Sequence, residues 1–144
     1  MKTDNFDIIV IGAGSAGLSV GLTMNSLGFK VLMIARSETE IGGECLNTGC
    51  VPSKALIHVA GIVHQARRAA AFGWETSGRT DLGSVMDYVR AAKATIRGHE
   101  NSTALRQAGI TVILGHARFV GRRSVAVEGH SVAVEDCEGS ESLS

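Results

Sequence analysis

Apolar residues fall along this chain in short, sharply bounded runs, and the runs change character near residue 115. Ile8-Ile9-Val10-Ile11 is a continuous block ending on glycine, the pattern of a buried strand in a parallel sheet. Gly12-Ala13-Gly14-Ser15-Ala16-Gly17 follows at once. A helical stretch comes next, over residues 15–27, with Leu18, Leu22 and Leu27 expected on its buried side and Gly28 as its stop. Val31-Leu32-Met33-Ile34 is a second buried strand. Strand, helix and strand within about thirty residues predict a right-handed βαβ unit.

Residues 36–44 read as a polar connection ending in Gly42-Gly43. A helix is expected over residues 53–71, weakened at Gly61, and a second over residues 82–108, with Leu82, Val85, Met86, Val89, Ile96 and Leu105 as its buried stripe and Gly109 as its end. Thr111-Val112-Ile113-Leu114 is a third apolar strand. Beyond Gly115 the runs are short and broken by glycine turns: residues 117–120, 124–127 and 131–134, the pattern of an antiparallel meander. The near-copy of Ser-Val-Ala-Val-Glu at 124–128 and 131–135 is too short for a repeat architecture. The fold class is therefore α/β, Rossmann-like and three-layered, with a parallel sheet and a small meander. No linker divides residues 1–144, and the polar tail from Glu138 is expected to fray.

Composition narrows the function classes. Hydrophobic residues at 44% and charged residues at 19% are ordinary for a globular domain, and a formal net charge of zero gives no basis for nucleic acid or an anionic membrane as partner. The polar start and a four-residue apolar block leave no signal peptide or membrane span, so the expected compartment is the cytoplasm. Idle thiols stay reduced there, so a closely spaced cysteine pair points to redox or metal chemistry more than to a structural bond. Three cysteines are too few for a disulfide framework.

The glycine hexapeptide has the Gly-x-Gly-x-x-Gly spacing between a strand and a helix, which gives that motif its meaning. Gly12 allows the tight turn, Gly14 the approach of a pyrophosphate, and Gly17 close packing of helix on strand, while the helix start offers unpaired N–H groups to phosphate. The loop does not distinguish FAD from NAD. Ala35 stands at the strand end where an acidic residue usually takes the ribose, followed by Arg36. Glu38 and Glu40 are alternative carboxylates for that ribose, Arg36 is a candidate to stack near the adenine, and weakened cofactor binding is expected.

Cys45 and Cys50 are five residues apart. Pro52 fits a helix start, and Cys50 beside a helix N-terminus, with Lys54 one turn on, is expected to have a lowered pKa. Inert cysteines and a two-cysteine metal site are the competing readings. Zinc usually wants four ligands, and His58 and His64 have no ligand spacing to the pair, so no metal site is expected. Cys137 has no partner at useful spacing and reads as a bystander.

The hexapeptide, together with Gly42-Gly43-Glu44-Cys45-Leu46-Asn47-Thr48-Gly49-Cys50-Val51-Pro52-Ser53-Lys54, resembles the class I pyridine nucleotide-disulfide oxidoreductases, the family of dihydrolipoamide dehydrogenase, glutathione reductase and mercuric reductase. Residues 52–57 and 115–120 look most like its mercuric reductase-like or dihydrolipoamide dehydrogenase-like members. The resemblance implies a cytoplasmic flavoprotein in which electrons pass from NAD(P)H through FAD to a redox-active Cys45–Cys50 disulfide, and on to a small-molecule disulfide, a protein disulfide or a metal ion. It implies that Gly12, Gly14, Ser15, Ala16 and Gly17 hold the FAD pyrophosphate, and that Gly43, Glu44 and Cys45 line the FAD site. It implies further that Cys50 is the flavin-proximal thiol, Cys45 the interchange thiol, and Lys54 a neighbour of flavin N5. Gly115 and Ala117 would offer backbone contacts on the adenine side. Members of the family are longer and homodimeric, with a second glycine loop for NAD(P)H and a His–Glu pair. Here there is one such loop, and none of the five histidines fits the pair. The chain is thus expected to be an N-terminal part of an FAD domain without turnover of its own, cut short by gene truncation, by frameshift or by design. The alternatives are a non-catalytic FAD-binding or interaction module with vestigial cysteines, and a small dithiol metal-binding domain.

Overall fold

The computed structural model describes residues 4–75, 77–127 and 130–134. In chain order the elements are β1 (Asp4–Phe6), β2 (Ile8–Ile11), α1 (Ser15–Ser26), β3 (Val31–Ala35), a 3-10 turn (Glu38–Glu40), α2 (Gly43–Asn47), α3 (Cys50–Arg68), a second 3-10 turn (Ala69–Phe72), α4 (Leu82–Arg97), α5 (Ser102–Gln107), β4 (Thr111–Leu114), β5 (Ala117–Gly121), β6 (Ser124–Val127) and β7 (His130–Val134). They form two compact units, one of residues 44–100 and one of the residues on either side of that segment.

In the flanking unit β2, β3 and β4 make a parallel sheet with β3 central, Ile8 opposite Val31 and Ile34 opposite Ile113. Every residue of β3 is buried. Alternation along a strand sends neighbours to opposite faces. Val31, Met33 and Ala35 accordingly join Leu18, Leu105, Ile110 and Val112 in one core, while Leu32 and Ile34 join Phe6, Val125 and Val127 in another. The second core lies under the sheet β1-β7-β6-β5, in which β5, β6 and β7 run antiparallel and β1 joins β7 in parallel. Helices, parallel sheet and meander are the three layers, as expected of the α/β class.

The unit of residues 44–100 is helical. α3 packs on α4, and the rings of His58 and Tyr88 stack with centroids 5.8 Å apart. Leu46, Ala55 and Val89 are its buried apolar side chains.

Three local expectations are corrected. The single helix over 82–108 is two. After Gly98, Asn101 turns extended and its Oδ1 accepts the Ala104 N–H at 2.8 Å, which restarts the chain as α5. Leu22 and Leu27 are 41% and 66% exposed, because α1 buries Leu18 and Gly21, three residues apart, and the face they define passes Leu22 by. The polar start holds β1, which no local pattern signals, because its partner β7 lies far along the chain. Cys137 and the tail from Glu138 lie outside the described residues.

Asp81 caps α4: its carboxylate accepts the Ser84 Oγ–H at 2.7 Å and the N–H groups of Ser84 and Gly83 at 2.8 and 3.3 Å. The Ser84 hydroxyl first, then those two N–H groups, hold the carboxyl below its ordinary 3.8. A depressed carboxyl stabilises the fold above its unfolded value, and that contribution is lost as pH falls through the folded one. We expect helical circular dichroism and the thermal midpoint to decline below pH 3.8. Asp81→Asn should flatten part of that decline; equal acid sensitivity in the variant would refute the assignment.

Candidate functional site: a glycine cleft and a thiol pair

The cleft forms where the parallel strands end. Gly12 N–H donates to Ile34 O, Gly115 N–H to Ala35 O and Gly42 N–H to Ala13 O, each at 2.8 Å, and these bonds fix three loops around one opening. Its volume is about 290 Å³, with Gly12, Ala13, Gly14, Ala35, Arg36, Glu40, Gly43, Gly115, His116 and Ala117 among its lining. Small-molecule sites span roughly 300–1,000 Å³, so the opening suits one half of a dinucleotide.

Two glycines are required by shape. A Cβ on Gly17 would sit 2.0 Å from Gly12 O, so only glycine lets α1 lie this close to the loop. Gly43 has φ +61°, and its Cβ would meet Gly14 Cα at 2.7 Å. The N-cap of α1 is Gly14, with no side-chain cap and no acidic residue in the first turn. The first N–H groups of the helix therefore remain available to an anion, with the positive end of the helix dipole behind them. A backbone cradle without Cβ atoms and a helix start without carboxylates fit a pyrophosphate.

At the other end of the cleft Arg36 and Glu40 form an ion pair at 3.5 Å. Of the two carboxylates weighed for the ribose, Glu38 is committed elsewhere: its Oε1 accepts the Ser102 N–H at 2.9 Å, at the start of α5. Glu40 lines the cleft. His116 lines it too and was missed by sequence reasoning, although it sits between the two expected residues Gly115 and Ala117. The side chains of Ser15 and Ala16 are exposed in the first turn of α1, so what these residues can offer an anion is their backbone N–H groups.

Glu44, Cys45, Cys50 and Lys54 belong to the helical unit. Cys45 lies in α2 and Cys50 opens α3. Thr48 N–H and Gly49 N–H both donate to Glu44 O, at 2.9 and 2.6 Å, and this tight link brings the α2 end back on itself before α3 starts. Neither thiol is in a disulfide; Cys45 is half-buried and Cys50 exposed. The Cys45 side chain hydrogen-bonds the Cys50 thiol and, with its charge and some desolvation, raises the Cys50 pKa, while Lys54 and the backbone pull it down. The expected lowering at a helix start is therefore reversed, because the neighbouring sulfur outweighs helix and lysine. Among the described residues no group of three His, Cys, Asp or Glu side chains is placed to hold a metal, and no helix is long and apolar enough to cross a membrane.

Two outcomes follow from this geometry. Gly17→Ala should cost on the order of 1–3 kcal/mol by overpacking against the Gly12 carbonyl, read as a lower urea midpoint; an unchanged midpoint would contradict the close approach. Cys45→Ala should lower the Cys50 pKa and Lys54→Met should raise it, read from the pH dependence of Cys50 alkylation. Shifts in the opposite senses would show that another group sets the proton affinity.

Residues 6–137 match the pyridine nucleotide-disulphide oxidoreductase family. A mercuric reductase of Lysinibacillus sphaericus is 32% identical over 136 residues, which are 94% of this chain and 24% of that protein. A dihydrolipoyl dehydrogenase of Thermus scotoductus is 34% identical over 135 residues, 94% of this chain and 28% of that protein. The HOCl-induced flavoprotein disulfide reductase RclA from Escherichia coli has a similar structure, with a TM-score of 0.65 at 27% identity, covering 88% of this chain and 26% of that one. The chain spans about a quarter of the length of these relatives. With its glycine cleft and paired thiols, the chain belongs to the pyridine nucleotide-disulphide oxidoreductase family.

Proposed function

We propose that this chain supplies the FAD-holding cradle and the redox dithiol of an NAD(P)H-dependent flavoprotein that reduces a disulfide or a metal ion. The observation that carries the reading is the hydrogen-bonded pair of reduced thiols, Cys45 and Cys50, two and seven residues beyond the cleft glycine Gly43. Gly12, Gly14 and the N–H groups at the start of α1 would hold the pyrophosphate. Arg36 and Glu40 would meet the adenosine ribose in place of the acid that Ala35 lacks, and Gly115 and Ala117 would flank the adenine. FAD, when bound, supplies the two-electron chemistry that links NAD(P)H to the dithiol.

The thiols then act by exchange. The Cys45 thiolate attacks one sulfur of a substrate disulfide, forming a mixed disulfide and expelling the other sulfur as a thiolate. The Cys50 thiolate attacks the Cys45 sulfur, expels the second substrate thiolate and leaves a Cys45–Cys50 disulfide. Two electrons leave the dithiol and two reach the substrate. Lys54 favours the Cys50 thiolate, the nucleophile of the second step. The relatives are about four times longer and the sequence has one glycine loop, so we expect these 144 residues alone to show no steady NAD(P)H oxidation.

Titration of the purified chain with FAD, followed by flavin fluorescence, tests the cradle, and Glu40→Ala should weaken binding about tenfold, the value of one charge-assisted hydrogen bond. Peptide mapping after mild oxidation tests the dithiol, with a Cys45–Cys50 bond expected. FAD binding without that bond would favour the non-catalytic module; absence of both FAD binding and the bond would sink the proposal.

A further inference from the structure

α2 has only five residues, too few to persist without tertiary support. Its last carbonyls have no partners within the helix. Asn47 closes it, midway between the two cysteines, and both carbonyl oxygens of Asn47 accept from one face of α4. Lys93 Nζ donates to Asn47 O at 2.8 Å, and Arg97 Nη2 donates to Asn47 Oδ1. Lys93 and Arg97 are one helical turn apart and both half-buried, which strengthens such bonds relative to water. A cation at a helix C-terminus also meets the negative end of its dipole. The next residues, Thr48 and Gly49, fold back onto Glu44, so a hold on Asn47 is a hold on the whole link between Cys45 and Cys50.

We infer that Lys93 and Arg97 are positioning residues for the dithiol: through Asn47 they fix the link between α2 and α3 so that the Cys45 and Cys50 sulfurs stay within bonding reach. This inference rests on the redox reading above. Its action is geometric. Neither cation is among the groups that set the Cys50 proton affinity, whereas Lys54 is. Arg90, on the same helix, pairs with Asp87 at 2.5 Å and serves as the matched control.

The test equilibrates the full chain with glutathione buffers and follows the Cys45–Cys50 bond by peptide mapping, so that Cys137 does not count. Each bond formed consumes one glutathione disulfide and releases two glutathione thiols. The Lys93→Met/Arg97→Met double variant should shift the equilibrium toward the dithiol on the order of tenfold, about 30 mV for a two-electron couple. The pH profile of Cys50 alkylation should stay in place. Lys93→Arg, which keeps a donor, and Arg90→Met should behave as wild type. Should the double variant fail to fold by circular dichroism, Asn47→Ala removes the Arg97 acceptor while leaving the carbonyl that Lys93 bonds, and should shift the equilibrium in the same direction. A folded clamp variant within about twofold of wild type, or one whose alkylation profile moves as Lys54→Met moves it, overturns the inference. A wild-type chain that never forms the bond sinks the redox reading, and the clamp with it; a bond that forms equally in wild type and clamp variants sinks the clamp alone.

Discussion

Five consecutive residues of β3, Val31–Ala35, are removed from solvent on both faces, and both cores of the flanking unit are built on them. A strand covered on two sides fixes its own register, since a slip of one residue would carry Met33 to the face that packs Leu32 and Ile34. The same register sets the cleft. The strand's last two carbonyls, on Ile34 and Ala35, receive the N–H groups of Gly12 and Gly115. The loops that follow β2 and β4 are therefore aligned by the end of β3, and the opening between them is a consequence of how the centre packs.

At the rim of the cleft, charge contributes little to folding. Arg36 and Glu40 are 62% and 49% exposed at their side chains, and exposed pairs of this kind contribute little to stability. Their place beside Ala35 is what gives them interest. A strand-end carboxylate would be fixed by the sheet; Glu40 instead comes from a 3-10 turn and is steadied by Arg36. Glu38, two residues earlier, is the structural member of that turn, holding the start of α5.

Much of this was legible in the sequence where the signal is local. The runs at 8–11, 31–34 and 111–114 are strands because continuous apolar blocks suit a sheet with cover on both faces, and the glycine loop could be placed because strand and helix flank it. The break between α4 and α5 also had a local signal, Asn101-Ser102-Thr103, which the apolar periodicity on either side masked. What was not legible depends on distant partners. β1 needs β7, the role of Glu38 needs Ser102, and the binding of Asn47 needs side chains 46 and 50 positions away. The proton affinity of Cys50 failed as an expectation for a related reason: the helix start and Lys54 can be counted from the sequence, but the hydrogen bond of the Cys50 thiol to Cys45 exists only once the link between α2 and α3 has folded.

That hydrogen bond also constrains the chemistry. Two thiols in contact titrate as a pair, so that the first thiolate is favoured by its neighbour's S–H and the second is opposed by the first charge. The raised affinity at Cys50 comes first from its hydrogen bond to Cys45 and then from the charge there, and Lys54 works against both without cancelling them. A pair of this kind disfavours two thiolates side by side. That is what sequential exchange requires, because the second attack is needed only after the first sulfur has bonded to substrate and lost its charge. On the proposed exchange reading, bonding of Cys45 to substrate would remove the opposition at Cys50 and leave Lys54, so forming the mixed disulfide would itself favour the thiolate that resolves it.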